Sequence, residues 1–113
     1  MEIRKIAIPV AGGQMCAHFG HCEKFVIYKF VDGKLEHEEL LTPPAHQPGV
    51  YPAWLNKLGV NDVIAGGIGQ RAISLFNQQN VNVYAGAQLK EPRQLANELV
   101  EGKLVAGENL CDH

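Results

Sequence analysis

Three prolines fall within the eight residues 42–49, and this segment limits the possible folds more than any other part of the sequence. Proline has no backbone N–H group and disfavours helical backbone in the residue before it. Neither a regular helix nor a central strand is therefore expected to pass through the segment. It separates a first half with strand-like patterns from a second half in which helix-like and strand-like patterns alternate.

The first half of the chain predicts three strands. Residues 3–10 are a short apolar run that leads into a glycine-containing loop, as expected of a buried strand. Residues 25–31 are β-branched and aromatic, whereas residues 35–41 are highly charged, as suits an edge strand. Between the last two strands lies Asp32-Gly33, which is typical of a type I′ turn with positive φ at both central residues. The sequence therefore predicts an antiparallel hairpin.

The second half predicts three helices and two strands. Pro52 and Pro92 suit the first turns of helices, and Gly59 suits the position just past the end of one. The helices are expected at residues 51–58, 70–79 and 92–100, and the strands at residues 60–65 and 81–85. A hairpin followed by this alternation predicts an α/β fold with a five-stranded mixed sheet, in which the later strands are parallel and helices flank the sheet.

The composition restricts the class of protein. The chain has 113 residues, of which 46% are hydrophobic, and this is enough for one domain over residues 1–113. The formal net charge is −2 with dispersed basic residues, so nucleic acid is not an expected partner. No apolar run approaches the roughly 20 residues that span a bilayer, and the N-terminus lacks the pattern of a signal peptide. We therefore expect a cytoplasmic protein without membrane contact, in which the three cysteines are reduced thiols or metal ligands.

Two thiols and two imidazoles occur within seven residues of the loop after the first strand. These side chains are Cys16, His18, His21 and Cys22, and they are soft or borderline donors suited to zinc, copper(I) or iron–sulfur centres. The spacing differs from that of a standard zinc site, because five residues separate the two cysteines. For Cys16 the alternative is a small buried residue without a ligand role.

Further donors lie elsewhere in the sequence. The C-terminal Cys111, Asp112 and His113 form a second donor set, although a chain end of this kind is often frayed and inert. His46 is a candidate because the prolines around it stiffen its loop. His37 lies on the charged strand and is expected to be exposed at the surface.

A glycine turn follows the predicted strand over residues 60–65. Residues 67–72 match the dinucleotide pattern G-x-G-x-x-A, but the next strand ends without an acidic residue to hold a ribose, so a nicotinamide cofactor is not expected. Ligands of such sheets bind beyond the carboxyl ends of the strands, where the loop over residues 11–22, this turn and a turn at residues 86–87 should meet. Here glycines would let a ligand approach the backbone, and a helix N-terminus favours an anion; the alternative is a tight turn formed only for packing.

Catalytic patterns are sparse. The sequence contains no nucleophile elbow, phosphate-binding loop or paired carboxylates, so no catalytic residue is predicted and a non-enzymatic protein is expected. A thiol enzyme that uses Cys22 is a weaker alternative.

Four segments together resemble the dinitrogenase iron–molybdenum cofactor-binding family, which includes nitrogenase accessory proteins and small stand-alone relatives. The segments are residues 17–25, 42–46, 63–72 and 107–113. The resemblance implies a ribonuclease H-like α/β fold without ribonuclease activity. It also implies a role in binding, carrying or assembling a metal–sulfur cluster.

The resemblance assigns roles to particular residues. As cofactor-binding residues it implies His18, Gly20, His21, His46, Gly66, Gly67 and Gly69, and as metal ligands Cys22, Cys111 and His113. Cys16 lies outside the matched motif and is the least secure of the predicted metal ligands.

We therefore hypothesise a non-enzymatic carrier or assembly protein. Its cargo would be an iron–molybdenum cofactor-like or an iron–sulfur cluster, and its partners would be proteins that donate or accept that cluster. A homodimer is compatible with this hypothesis. The alternative is a zinc-binding or regulatory interaction module.

Overall fold

The first predicted strand lies at the centre of the sheet. The structure, a computed structural model, describes residues 2–12, 14–16, 22–44, 50–88 and 90–104. The strands are β1 (Ile3–Ala11), β2 (Gln14–Met15), β3 (Lys24–Val31), β4 (Lys34–Leu41), β5 (Asp62–Ile64) and β6 (Asn82–Tyr84). The helices are α1 (Val50–Lys57), α2 (Gln70–Gln78) and α3 (Pro92–Val100).

The sheet is mixed, as predicted, and its main path runs in the order β4-β3-β1-β5-β6. The pairs β1–β3 and β3–β4 are antiparallel, whereas β1–β5 and β5–β6 are parallel. The predicted count of five strands is wrong, because the described residues form six. The additional strand, β2, pairs antiparallel with the end of β1, with Met15 opposite Val10. It contains two residues and is therefore too short to produce a detectable alternation of polar and apolar residues.

The hairpin between β3 and β4 has the predicted turn. Asp32 has φ of 51° and Gly33 has φ of 82°, as a type I′ turn requires. Every residue of β4 from Lys34 to Leu40 is exposed, which confirms its position at the edge of the sheet. Arg93 of α3 joins this edge strand to the rest of the fold through hydrogen bonds of 3.1 and 2.8 Å from Nε and Nη2 to Oε1 of Glu38.

Helices cover both faces of the sheet because alternate residues of β1 point to opposite sides. On one face Ile6 and Ile8 belong to a cluster with Leu95 and Leu99 of α3. On the other face Ala7 belongs to a second cluster, which contains Tyr51 and Leu55 of α1, Phe76 of α2 and Phe25 of β3. This arrangement confirms the predicted α/β fold. None of the helices in the described ranges has the length and apolar character needed to cross a membrane.

Helix α1 ends in a glycine-dependent cap. Gly59 has φ of +81°, its N–H donates to Asn56 O at 3.0 Å, and Val60 N–H donates to Leu55 O at 3.1 Å. These two bonds form the Schellman motif, in which the residue after the helix takes a left-handed backbone. The sequence correctly predicted this role for Gly59.

The buried carboxylate of Asp62, at the start of β5, contacts the two neighbouring strands. The contacts lie at the edge of the sheet where β1, β5 and β6 begin. Asp62 is 1% exposed and accepts hydrogen bonds from Arg4 Nε at 2.7 Å and Asn82 Nδ2 at 3.2 Å. Its hydrogen bond and charge raise the pKa of Arg4, so the guanidinium stays ionised. The contact therefore fixes the relative positions of β1, β5 and β6 where these strands begin.

Candidate thiol site at the carboxyl edge of the sheet

The described residues on either side of 17–21 are attached to the last residues of β1. Cys16 N–H donates to Pro9 O at 2.8 Å, and Glu23 N–H donates to Val10 O at 3.0 Å. The side chain of Glu23 also accepts a hydrogen bond from Gly12 N–H at 3.0 Å. Cys16 and Cys22 are therefore held at the carboxyl end of the central strand β1. The sequence predicted this position for residues 11–22.

Cys22 is half-buried and packs against the core cluster beneath α1 and α2. The pKa of Cys22 is raised to about 11, mainly by burial and to a smaller extent by the nearby thiol of Cys16. Hydrogen bonds from the backbone and from Tyr51 act in the opposite direction but do not overcome this shift. The thiol is consequently protonated at neutral pH, and a metal that binds it must displace the proton.

Cys16 is buried, with 7% of its surface exposed, and is not in a disulfide. Its burial agrees with the alternative of a small core residue. Its thiol is nevertheless close enough to Cys22 for charge on one sulfur to affect the pKa of the other. The geometry thus brings two soft donors together, and the ligand role of Cys16 stays a prediction.

Tyr51 completes the described surroundings of Cys22, and the sequence did not identify it. Its side chain forms a hydrogen bond with the Cys22 thiol, while its ring packs edge-on against Phe25 at a centroid distance of 5.4 Å. One feature of the sequence could have indicated it. Tyr51 lies four residues before Leu55 and therefore on the same apolar face of the predicted helix. A buried tyrosine hydroxyl usually needs a hydrogen-bond partner.

The two glycine-containing turns lie side by side, as predicted. Gly86 N–H donates to Gly66 O at 2.7 Å, and Ala87 N–H donates to Ala65 O at 3.1 Å. These bonds extend the β5–β6 pairing beyond the strands, so the turn at residues 66–69 and the turn at residues 86–87 form one continuous edge.

Gly69 begins helix α2 without a capping side chain. It has φ of −68° and ψ of 150°, and no side-chain hydrogen bond caps the helix. A Cβ atom at Gly69 would meet no atom within 4 Å, so packing does not require glycine there. The first N–H groups of any helix lack partners within the helix and attract anions. The exposed Arg71 in this first turn adds positive charge.

Several predicted site residues lie outside the described residues. These are His18, Gly20, His21, His46, Cys111, Asp112 and His113. Their assignments stay predictions. Within the ranges that the structure describes, no group of three or more His, Cys, Asp or Glu side chains is arranged to hold a metal ion. The described part of the site is therefore a pair of thiols with a tyrosine hydroxyl.

A separate cleft of about 360 Å³ lies on the sheet between β3, β4 and the end of α1. Its lining includes Lys5, Lys29, Glu36 and His37 but none of the predicted site residues. The side chain of His37 is 62% exposed, as predicted for a surface residue.

The fold and this edge define a class of small α/β proteins in which a mixed sheet carries paired thiols beyond its central strand. The family model described as dinitrogenase iron–molybdenum cofactor matches residues 2–102. The chain therefore belongs to the dinitrogenase iron–molybdenum cofactor family, and the resemblance found in the sequence is confirmed.

A curated relative is similar to the chain in sequence, and solved structures are similar to it in fold. The chain is 33% identical over 109 residues to the uncharacterised protein MJ0580 of Methanocaldococcus jannaschii, with 92% of each chain covered. It is similar in structure to PH0822, with a TM-score of 0.82, 26% identity, and 90% and 93% of the two chains covered. It also shares its fold with the apo form of the orange protein from Desulfovibrio gigas, with a TM-score of 0.77, 18% identity and 96% of each chain covered.

Proposed function

We propose that this protein binds a metal–sulfur cluster and carries it or assists its assembly, without catalysing a reaction. The cargo would be an iron–molybdenum cofactor-like or an iron–sulfur cluster, and proteins that donate and accept the cluster would be its partners. We also propose the ribonuclease H-like form of the α/β fold and a cytoplasmic location, and a homodimer is compatible with both.

The observation that carries the proposal is the pairing of Cys16 and Cys22 at the carboxyl edge of β1, in a chain of the dinitrogenase iron–molybdenum cofactor family. Thiolates are the preferred protein ligands of iron in iron–sulfur clusters. Ligation by one or two thiolates, and not by a closed set of four ligands, would leave cluster positions open. Such partial ligation suits cargo that must later leave.

The surroundings of the two thiols support an anionic cargo. The adjoining edge presents backbone groups of the turn at residues 66–69 and the uncapped N-terminus of α2. Backbone N–H groups and a helix N-terminus stabilise negative charge without forming covalent bonds to it. Cluster binding would therefore combine a few thiolate bonds with a weaker peripheral contribution from the backbone.

The raised pKa of Cys22 supports reversible loading. A protonated thiol in a half-buried position keeps the metal-free protein neutral there, and binding of a metal releases the proton. The residues of this chain thus hold a proton on Cys22 Sγ in the metal-free state and present the sulfur to the cargo when that proton leaves.

Anaerobic reconstitution with iron and sulfide tests the proposal. The wild-type protein should develop sulfur-to-iron charge-transfer absorption with stoichiometric iron and sulfide. The Cys22→Ser/Cys111→Ser double variant should lose most of it, while keeping the far-ultraviolet circular dichroism of the folded chain. Absence of the bands in the wild type, or bands unchanged in the double variant, would contradict the proposal.

Elemental analysis of the freshly purified protein separates this proposal from the zinc alternative. Iron together with inorganic sulfide is expected. Stoichiometric zinc without iron or sulfide would instead favour a zinc-binding or regulatory module. Anaerobic native mass spectrometry of the same sample reports whether two chains share the cargo.

A further inference from the structure

The cleft between the sheet and the end of α1 is separate from the candidate thiol site. It has a volume of about 360 Å³, and its apolar lining consists of Ile27, Leu41 and Leu58. Ile27 is 6% exposed and belongs to the core, so this part of the lining has a fixed shape. Ligand pockets in proteins begin at about 300 Å³ and combine apolar side chains with a few polar groups. The cleft therefore has the size of a site for one small molecule.

A row of basic side chains crosses three strands in this cleft. Lys5 of β1 lies directly opposite Lys29 of β3, and Lys29 lies directly opposite His37 of β4. All three residues line the cleft. Side chains that lie directly opposite each other in a sheet are about 5 Å apart at Cβ, and like charges at this distance are unfavourable. The pair of lysines therefore favours an anionic group between them.

Both lysines have hydrogen-bonding capacity for a ligand. Lys5 Nζ donates to Leu58 O at 2.9 Å. Lys29 Nζ lies 3.3 Å from Oε1 of Glu36, in an ion pair whose side chains are 32% and 54% exposed. Exposed ion pairs of this kind are weak, and an ammonium group has three donors. These contacts therefore leave donors on both nitrogens for an anionic group.

Two carboxylates lie beside the lysines. Glu36 and Glu39 line the same cleft. Glu39 lies opposite Ile27, which is on the same face of β3 as Lys29 because alternate residues of a strand share a face. A purely anionic ligand would be repelled by the two carboxylates, and a purely cationic ligand by the two ammonium groups. A ligand that carries one charge of each sign matches both pairs.

We propose that this cleft binds a small zwitterion of the aliphatic α-amino acid class. The carboxylate of the ligand lies between Lys5 and Lys29, its ammonium group contacts Glu39, and its aliphatic side chain covers Ile27. This inference goes beyond the proposed function and does not depend on it, because no cysteine lines the cleft. An amino acid can therefore bind here whether or not the carboxyl edge of the sheet holds a cargo.

Leucine and two analogues that each lack one charge test the ligand class. Isocaproate has no amino group, and isoamylamine has no carboxylate. Each is titrated into the isotope-labelled full chain, and the amide signals are followed by nuclear magnetic resonance. Leucine should shift the signals of Ile27, Lys29 and Leu58 in a saturable manner. Each analogue should bind about 10-fold more weakly, because one charge-assisted contact is lost.

Variants assign the two charges of the ligand to the two sides of the cleft. Lys29→Met keeps an aliphatic stem without the charge, and it should weaken leucine binding about 10-fold. Glu39→Gln should weaken leucine binding to a similar extent but should not weaken binding of isocaproate, which has no ammonium group. Lys34→Met is the matched control, since Lys34 is exposed on the same hairpin, does not line the cleft and should leave leucine binding unchanged.

Three results would overturn the inference. They are no saturable shift of the cleft signals with leucine, equal affinities for leucine and both analogues, and unchanged leucine affinity in Lys29→Met and Glu39→Gln. The first two use the wild-type protein and do not depend on the folding of a variant. None of the three affects cluster binding by the cysteines, and failure of cluster reconstitution leaves the leucine titration as it is.

Discussion

Asp62 and Cys22 show how differently single residues are used at the two ends of the sheet. Asp62 is buried and accepts hydrogen bonds from Arg4 and Asn82. Cys22 is half-buried and keeps its proton. Removing a partner from a buried ion pair leaves an uncompensated charge. A protonated thiol is uncharged and needs no ion-pair partner. The first residue stabilises the fold, and the second is available for a ligand.

Replacement of Asp62 tests this distinction. Asp62→Ala should lower the free energy of unfolding by about 2–3 kcal/mol, because Arg4 and Asn82 both lose their acceptor. Urea denaturation measures the change. Glu38→Ala is the matched control, since it removes an ion pair whose partner, Arg93, lies on the surface, and it should have little effect. Equal losses in the two variants would contradict the structural role of Asp62.

At the scale of elements, the sequence predicted the three helices and the five longer strands, with boundaries that differ by at most two residues. Proline, glycine and the Asp32-Gly33 turn made this possible, because their backbone preferences act locally. Strand β2 was missed for a physical reason. Gly12, with φ of +62°, lies at the reversal of the chain, and the two residues that then pair with β1 carry no periodic pattern.

Two glycines at the borders of helices provide a prediction at this scale. Gly59→Ala should cost about 1–2 kcal/mol in the free energy of unfolding, because φ of +81° is unfavourable for any residue with a Cβ atom. Gly69→Ala should change it by less than about 0.5 kcal/mol, since φ there is −68° and the space around the glycine is open. Thermal or urea unfolding of both variants checks this. A larger loss in Gly69→Ala than in Gly59→Ala would refute the assignment.

At the scale of the whole molecule, the sequence predicted which segments meet at the carboxyl edge but not every side chain that takes part. The meeting of the two glycine turns and the placement of Cys16 and Cys22 follow from strand order, which the helix–strand alternation implies. The bond between Tyr51 and Cys22 does not follow from it. These residues are far apart in sequence, and only the packing of α1 on the sheet brings them together.

Stability at alkaline pH is also a property of the whole molecule. Burial, then the charge of Glu38, raises the pKa of Tyr28 to about 12, and the pKa of Cys22 is raised to about 11. A pKa raised by folding contributes stability in full below the unfolded-state pKa, and that stability is lost as the pH rises through the folded-state pKa. The free energy of unfolding should therefore fall from about pH 9 upward and continue to fall toward pH 12.

Denaturation of the wild type and of Tyr28→Phe over this pH range measures the effect. The variant should lose less stability than the wild type between about pH 10 and pH 12, because it has no phenol to ionise at this position. Parallel pH profiles for the two proteins would show that Tyr28 contributes nothing.

The attachment of Cys16 and Glu23 to neighbouring carbonyl groups of β1 has a consequence for the energetics of loading. Closing a loop costs configurational entropy, and here the closure occurs when the central sheet forms. The proposed cargo would therefore not have to bring the two cysteines to the same end of β1. Its affinity would be reduced less by ordering of the protein.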